Sequence, residues 1–258
     1  MELFDTHTHL DAPEFDADRE KVIERALAAG VTRLLNVGAS RNLDSARDSI
    51  KLAEKYDFIY ASVGVHPHDA GAELDFNTLQ ELATHPRVVA IGETGLDFYR
   101  DWSPRNSQYE WFKKQIKLAL EVNKPLIIHS RETAKECFEL LVDLGADAVG
   151  GVFHCYPADS SFAAKLREIN FMVSFPGILT FKNAKDLQKA AEEIPLSQIM
   201  LETDAPYLAP VPYRGKRCES AFVVETAKKL AELKGIPLED VARITTENAL
   251  CFFKINGD

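Results

Sequence analysis

Residues 3–11 read LFDTHTHLD, a short apolar run that ends in two histidines one residue apart. Runs of this length, rich in apolar and β-branched residues, recur at Leu3–Thr6, Arg33–Val37, Ile59–Val63, Val88–Ile91, Leu126–Ile128, Ala148–Phe153, Phe171–Phe175 and Ile199–Leu201. Near-continuous apolarity is how a strand reads when both of its faces are buried, as in a parallel sheet covered by helices. Amphipathic segments separate the runs: Arg19–Ala29, Leu43–Lys55, Asn77–Thr84, Gln108–Glu121, Thr133–Leu144, Ser160–Glu168, Ala184–Glu193 and Ala221–Leu233. In the first of these, Val22, Ile23, Ala26 and Leu27 take one side and Arg19, Glu20, Glu24 and Arg25 the other. Eight strands alternating with helices predict a single (β/α)8 TIM barrel over residues 1–258, with Leu238–Phe253 as an additional C-terminal helix. No GxGxxG follows the first strand to favour an open dinucleotide-binding sheet.

The bulk composition fits that fold. Hydrophobic residues make up 46% of the 258 and charged residues 27%, as in an ordinary globular protein. A net charge of −10 and a pI near 5.3 argue against a sequence-independent grip on a phosphate backbone, which needs clustered Lys and Arg. Cys137, Cys155, Cys218 and Cys251 are scattered and form no CxxC pair, which predicts neither a zinc ribbon nor a disulfide framework. The N-terminal MELFDTHTHL lacks the charge and hydropathy pattern of a secretory signal, and no apolar stretch approaches a membrane span. The expectation is a cytoplasmic protein with no membrane contact and no obligate protein partner.

Most of the metal-capable side chains stand where the predicted strands end. His7 and His9 close the first strand, Glu93 follows the fourth, His129 the fifth, His154 the sixth, and Glu202 and Asp204 the eighth. In a barrel those ends converge on one face, where the active sites of such folds lie. An HxH pair on a strand turns both imidazoles to the same side, because side chains repeat every second residue. Alone it is a weak signal; three further strands with a histidine or carboxylate at the same end make it a strong one.

Four imidazoles and two carboxylates exceed the three protein ligands of one catalytic zinc and suit two cations that share a bridge. Glu93 is the natural bridge, since its two oxygens can reach two cations about 4 Å apart; the other reading is a salt-bridged glutamate in the barrel mouth. Asp204 is read as a ligand that can also take the proton of a water, or as a helix N-cap ahead of Ala205-Pro206. Glu202 either supports a ligand or packs inside the barrel. His66 is open between substrate contact and packing, and His68 and His85 read as solvated or capping residues.

The strings FDTHTHLD, GVHPHDA, IGETGLDFYRD, IIHSR, GVFHCY and LETDAPYLAPVPYRGKR resemble those of TatD-type deoxyribonucleases, a branch of the amidohydrolase superfamily. The resemblance runs in order over nearly the whole chain, and IGETGLDFYRD and LETDAPYL are its most specific parts. It implies a phosphodiesterase with two divalent metal ions: His7 and His9 on one, His129 and His154 on the other, Glu93 between them, and Asp204 near the nucleophile. It also implies that His66 faces substrate and that the loop Pro212–Arg217 borders the site. Two departures stand out, Cys218 and Ser220 where the family commonly has Asn and Pro, and Tyr156-Pro157-Ala158 in place of a Phe-Ser/Thr-Gly-like turn. Neither touches an expected ligand, so they bear on the substrate cleft.

The function expected is metal-dependent hydrolysis of DNA, at single strands or ends that can enter a barrel mouth, with Asp204 and Glu93 catalytic. His66, Arg131, Arg214 and Arg217 are the expected substrate-binding residues, with Tyr156 and Lys216 as further candidates and Phe98, Tyr99, Trp102 and Tyr207 as candidates for stacking bases. Imidazole ligands favour Zn2+ or Mn2+, whereas the resemblance implies Mg2+. The rival is hydrolysis of an amide or ester by the same chemistry, including the ester of aminoacyl-tRNA; a third possibility, a non-catalytic barrel, would be expected to have lost ligands, and all six are present.

Overall fold

A computed structural model describes residues 1–100 and 102–255. Asp101, which ends the IGETGLDFYRD string, and residues 256–258 lie outside the described part. Eight parallel strands form one sheet in sequence order: β1 (Leu3–Thr8), β2 (Val31–Gly38), β3 (Ile59–Val63), β4 (Val88–Asp97), β5 (Leu126–Arg131), β6 (Gly151–Phe153), β7 (Phe171–Phe175) and β8 (Ile199–Leu201). The intervening helices are α1 (Arg19–Ala28), α2 (Asp44–Lys55), α3 (Phe76–Ala83), α4 (Arg105–Val122), α5 (Ala134–Asp143), α6 (Ser160–Glu168), α7 (Lys185–Glu193) and α8 (Val223–Lys234), and α9 (Leu238–Phe252) follows. This is the eight-stranded barrel with a C-terminal helix that the order of elements predicts. Closure is made just past β8, where Thr8 pairs with Ala205, the Asp204 N–H donates to the His7 carbonyl and the His9 N–H donates to the Ala205 carbonyl, both at 2.8 Å.

Alternation along the strands builds two apolar layers. Phe4, Leu35, Val37, Ala90, Ile127, Val152 and Met200 form a cluster inside the barrel, joined by Ala249 of α9 and by Phe253 just past its end. Their neighbours Leu3, Leu34, Ile91, Ile128 and Phe153 belong instead to the layer shared with the helices. Each fully buried side chain of this size contributes about 1.5–3 kcal/mol. Asn248 fixes α9 by donating to the carbonyls of Leu196 and Ile199, both at 2.8 Å. Among the described residues no helix is long and apolar enough to cross a membrane.

Three strand boundaries differ from expectation by three residues or more, for physical reasons. β4 runs on from Ile91 to Asp97 and β5 from Ile128 to Arg131, because polar residues continue the ladder: Thr94 pairs with Ile128, Gly95 with His129, Leu96 with Ser130 and Asp97 with Arg131. Thr94, Asp97 and Ser130 are buried and His129 is half-buried, so an apolar run is too strict a signal there. Conversely, the strand expected from Ala148 starts at Gly151, since Ala146–Ala148 is a 3-10 turn and Gly150 has φ +68°.

Gly95 marks the tightest approach between strands at the site. Its φ is +137°, and a Cβ there would lie 2.0 Å from the His129 carbonyl oxygen. Gly95→Ala is expected to cost about 3 kcal/mol, seen as a fall of about 6–12 °C in melting temperature. An unchanged melting temperature would contradict the placement of β4 against β5.

Candidate metal centre

The end of β1 and the chain after β8 are tied together by a buried acid. Asp5 accepts the Thr203 N–H at 2.9 Å and the Thr203 hydroxyl at 2.7 Å. Burial pushes the Asp5 carboxyl up to about 7 against the opposing pull of those bonds. Together with the 2.8 Å bond from the Asp204 N–H to the His7 carbonyl, this holds Asp204 beside His7 with a left-handed backbone of φ +57°. No helix starts there: the residues after Asp204 run as loop to Ser220, so the helix-cap reading of Asp204 is corrected.

A first cradle results. His7 Nε2 and His9 Nε2 are 3.3 Å apart, and Asp204 Oδ1 lies 3.4 Å from His9 Nε2 and 3.8 Å from His7 Nε2. Glu93 closes it from β4, with Oε2 3.4 Å from His7 Nε2 and 4.0 Å from His9 Nε2. The other Glu93 oxygen, Oε1, belongs to a second cradle, 2.8 Å from His129 Nδ1 on β5 and 2.6 Å from His154 Nε2 just after β6. His66 Nε2 stands 3.4 Å from the same oxygen.

The far nitrogens of His9 and His129 are held by fixed partners, which sets which nitrogen of each faces inward. His9 Nδ1 pairs with the Val37 carbonyl at 3.0 Å. His129 Nε2 pairs with Asp97 Oδ2 at 3.0 Å. His154 Nδ1 lies 3.6 Å from Glu202 Oε1, a buried carboxylate that accepts the Cys155 N–H at 2.6 Å and the Ser174 hydroxyl. Glu202, open between support and packing in the sequence, is thus the group behind His154. His66 is arranged the other way: its Nδ1 accepts the His68 N–H at 3.1 Å, so its inward Nε2 carries the proton and donates.

Charge follows from this packing. Burial pushes the Glu93 carboxyl up, but the surrounding His154, His66 and His129 outweigh it and hold it well below the usual carboxylate range. Burial likewise opposes ionisation of Asp204, and His9, His7 and His154 overcome it, so Asp204 is ionised at neutral pH. Burial holds His7 neutral and pushes His66 down to about 4. Against burial, Asp204 and Glu93 bring His9 up to about 9, Glu93 and Glu202 raise His154 well above the usual imidazole range, and Asp97 and Glu93 raise His129.

The donor set fits divalent cations. His7, His9 and Asp204 form one group, and Glu93, His129 and His154 another, in which one donor atom from each residue lies within 4.8 Å of the others. Acceptor lone pairs face one another across the mouth and need either protons or cations between them, and imidazole with carboxylate suits zinc, manganese and similar ions. A cation entering must therefore displace protons held by His9, His129 and His154. Calorimetric titration at pH 7 in buffers of differing ionisation enthalpy should show release of about two or more protons per chain, with affinity rising as pH rises toward 9. Binding that is independent of pH would contradict this charge assignment.

Two members of the mouth were not visible in the sequence. Asp97, fully buried, accepts from His68 Nε2 at 2.7 Å as well as pairing with His129, and its Oδ1 accepts the N–H groups of Tyr99 and Arg100. His68 is therefore not a solvated or capping residue but part of the wall, whereas His85 does cap a turn by accepting the Arg87 N–H. The signal was the period of two in Glu93, Gly95 and Asp97, had the strand been carried past Ile91.

The expected substrate-binding residues divide. His66 is in the mouth, and Arg131, the ladder partner of Asp97, lies with its guanidinium 3.8 Å from the Tyr99 ring. Arg214 stacks on Phe181, and Arg217 donates to Asp18 and to the Glu14 carbonyl beside the Phe15 ring. Lys216 lies over Tyr213, 6.0 Å from the ring centroid. The Tyr156 hydroxyl is buried and donates to the Asp159 carbonyl, so it does not face the mouth. Of the departures, Cys218 is buried and Ser220 donates to the Thr8 hydroxyl at 3.2 Å, packing behind β1.

A family model described as TatD related DNase matches residues 4–254. An uncharacterized metal-dependent hydrolase of Bacillus subtilis, YabD, is 46% identical over 256 residues, covering 98% of this chain and 100% of the relative. A Rahnella protein named 3′-5′ ssDNA/RNA exonuclease TatD is 34% identical, with 99% of each chain covered. The crystal structure of YjjV, a TatD homologue from Escherichia coli, superposes with a TM-score of 0.89 at 28% identity, covering 98% of each chain.

Proposed function

The chain belongs to the family of TatD-related DNases, and from that premise we propose that it hydrolyses phosphodiester bonds of DNA, at single strands or strand ends, using two divalent cations that share Glu93. Its relatives include metal-dependent hydrolases, and candidate metal-binding clusters are present in the barrel mouth. The observation that carries the two-cation reading is Glu93 itself, with Oε2 toward His7 and His9 and Oε1 toward His129 and His154.

Divalent cations, when bound, acidify water and offset charge that builds on a phosphoryl oxygen. The chain supplies the rest. His7, His9 and Asp204 would hold one cation, and His129 and His154 the other. Asp204, ionised and reachable from the mouth, accepts the proton of the attacking water. His66 donates a hydrogen bond from its Nε2–H to a phosphate oxygen, and Arg131 offers a planar guanidinium to another. In this reading Arg214 and Arg217 brace the loop that borders the mouth instead of gripping phosphate. The name of the Rahnella relative supports a single-stranded substrate.

The test is a substrate panel. Protein stripped by chelation and reloaded with Mg2+, Mn2+ or Zn2+ should release labelled nucleotides from single-stranded DNA faster than from blunt duplex, and faster than it cleaves an aminoacyl ester. Preference for the aminoacyl ester, with no nucleotide release under any metal, would favour the rival ester-hydrolase reading.

A further inference from the structure

We propose that Tyr99, Arg100 and Trp102, with Arg131, form a subsite in which an unpaired nucleobase next to the scissile phosphate is stacked; this rests on the nuclease reading above. Among the described residues three aromatic side chains are more than half exposed: Tyr99 at 53%, Trp102 at 65% and Tyr207 at 55%. All three follow strands that end in the metal centre, Tyr99 and Trp102 after β4 and Tyr207 after β8. Leaving an indole in water forgoes the burial that stabilises such side chains elsewhere, so two exposed rings in one short segment beside the mouth call for an occupant.

Ring contacts lead from that segment to the centre. Trp102 stands edge-on to His68 with ring centroids 4.4 Å apart, His68 is 4.3 Å from His66, and His66 Nε2 is 3.4 Å from Glu93 Oε1. His68 takes up one side of Trp102, which is nonetheless 65% exposed. Cations are interleaved with the rings: the Arg100 guanidinium lies 5.3 Å from the Tyr99 centroid and 5.2 Å from that of Trp102, and Arg131 lies 3.8 Å over Tyr99. Aromatic faces alternating with guanidinium groups match a single strand, whose bases offer π-faces and whose backbone offers phosphates. A paired base inside a duplex has both faces occupied by its neighbours and cannot enter.

The platform is held in place before any ligand arrives. Asp97 Oδ1 accepts the N–H groups of Tyr99 and Arg100, both at 3.0 Å, and the Ser103 hydroxyl donates to the His68 carbonyl at 2.6 Å. Gln108 donates to the Ser103 carbonyl at 3.0 Å. Ordering costs on binding are correspondingly small. Phe98, in the same segment, is half-buried under Arg105 and against Tyr109, and takes no part.

The metal-loaded protein can be titrated with a phosphorothioate-linked single-stranded hexanucleotide while tryptophan fluorescence is read. Trp102 should be quenched, since Trp111, the other tryptophan, is 8% exposed. Trp102→Ala should weaken binding about 5- to 150-fold and Trp102→Phe much less. An abasic nucleotide walked through the hexamer should reproduce the loss at one position, and there Trp102→Ala should add little. Binding and cleavage unchanged in Trp102→Ala, with the wild type cleaving single strands, would overturn the subsite alone. A wild type that neither binds nor cleaves nucleic acid would overturn the nuclease reading and the subsite with it.

Discussion

Glu93→Gln is expected to lower metal-dependent phosphodiester hydrolysis by about 10³-fold or more, equivalent to about 4 kcal/mol of transition-state stabilisation. The amide keeps the size of the side chain but has one oxygen instead of two. Whichever way it is turned, an NH2 group faces either His7 and His9 or His129 and His154, where Glu93 now presents an oxygen to both pairs. One cradle therefore loses an anionic ligand and gains a donor aimed at a cation. Bound metal should fall from two equivalents per chain to about one, a readout independent of turnover. The fold should persist, because the barrel core of Phe4, Leu35, Val37, Ala90, Ile127, Val152 and Met200 lies apart from Glu93. A Gln variant that keeps two metals and acts within tenfold of wild type would remove Glu93 from the bridging role.

Asp204→Asn should separate chemistry from binding. The backbone at Asp204 has φ +57°, a conformation that Asn tolerates better than almost any residue except Gly, so the variant carries little added strain. The side-chain oxygen facing His9 can be kept, and with it much of the first cradle. What is lost is the ability to accept a proton. The turnover rate should fall by about 10²- to 10⁴-fold with KM and metal content much less changed. A fall in KM-limited binding alone, with turnover intact, would show that the proton goes elsewhere. Asp204→Ala would be a poorer test, because it adds backbone strain and deletes the ligand oxygen together.

The fold was legible because both layers of the barrel are apolar. Strands such as Ile59–Val63, Phe171–Phe175 and Ile199–Leu201 are bounded in the structure where their apolar runs begin and end. The candidate ligands were legible for a related reason: each interrupts or ends such a run at the same end of the barrel. What stayed hidden were polar residues that extend a strand. Asp97 falls after the run that ends at Ile91, and only the ladder between β4 and β5 carries it into the mouth, where it meets His68 from the turn after β3.

Long-range pairing hid other features. Nothing local to PVPYRGKR shows that Arg217 meets Asp18, 199 positions away, or that Arg214 lies on Phe181. The Tyr156 hydroxyl is turned inward by its bond to the Asp159 carbonyl, a turn that composition alone does not signal. Charge-bearing residues near a motif are thus weaker guides than residues at strand ends, because flexible side chains choose partners from the whole surface.

Metal-dependent activation of the stripped protein tests most directly whether two cations share Glu93. Divalent metal added in known increments, with bound metal and nucleotide release from labelled single-stranded DNA followed together, should show two equivalents per chain at saturation. Release should stay low after the first equivalent and rise with the second. Saturation at a single equivalent with full activity, or full activity in the stripped protein, would contradict that sharing.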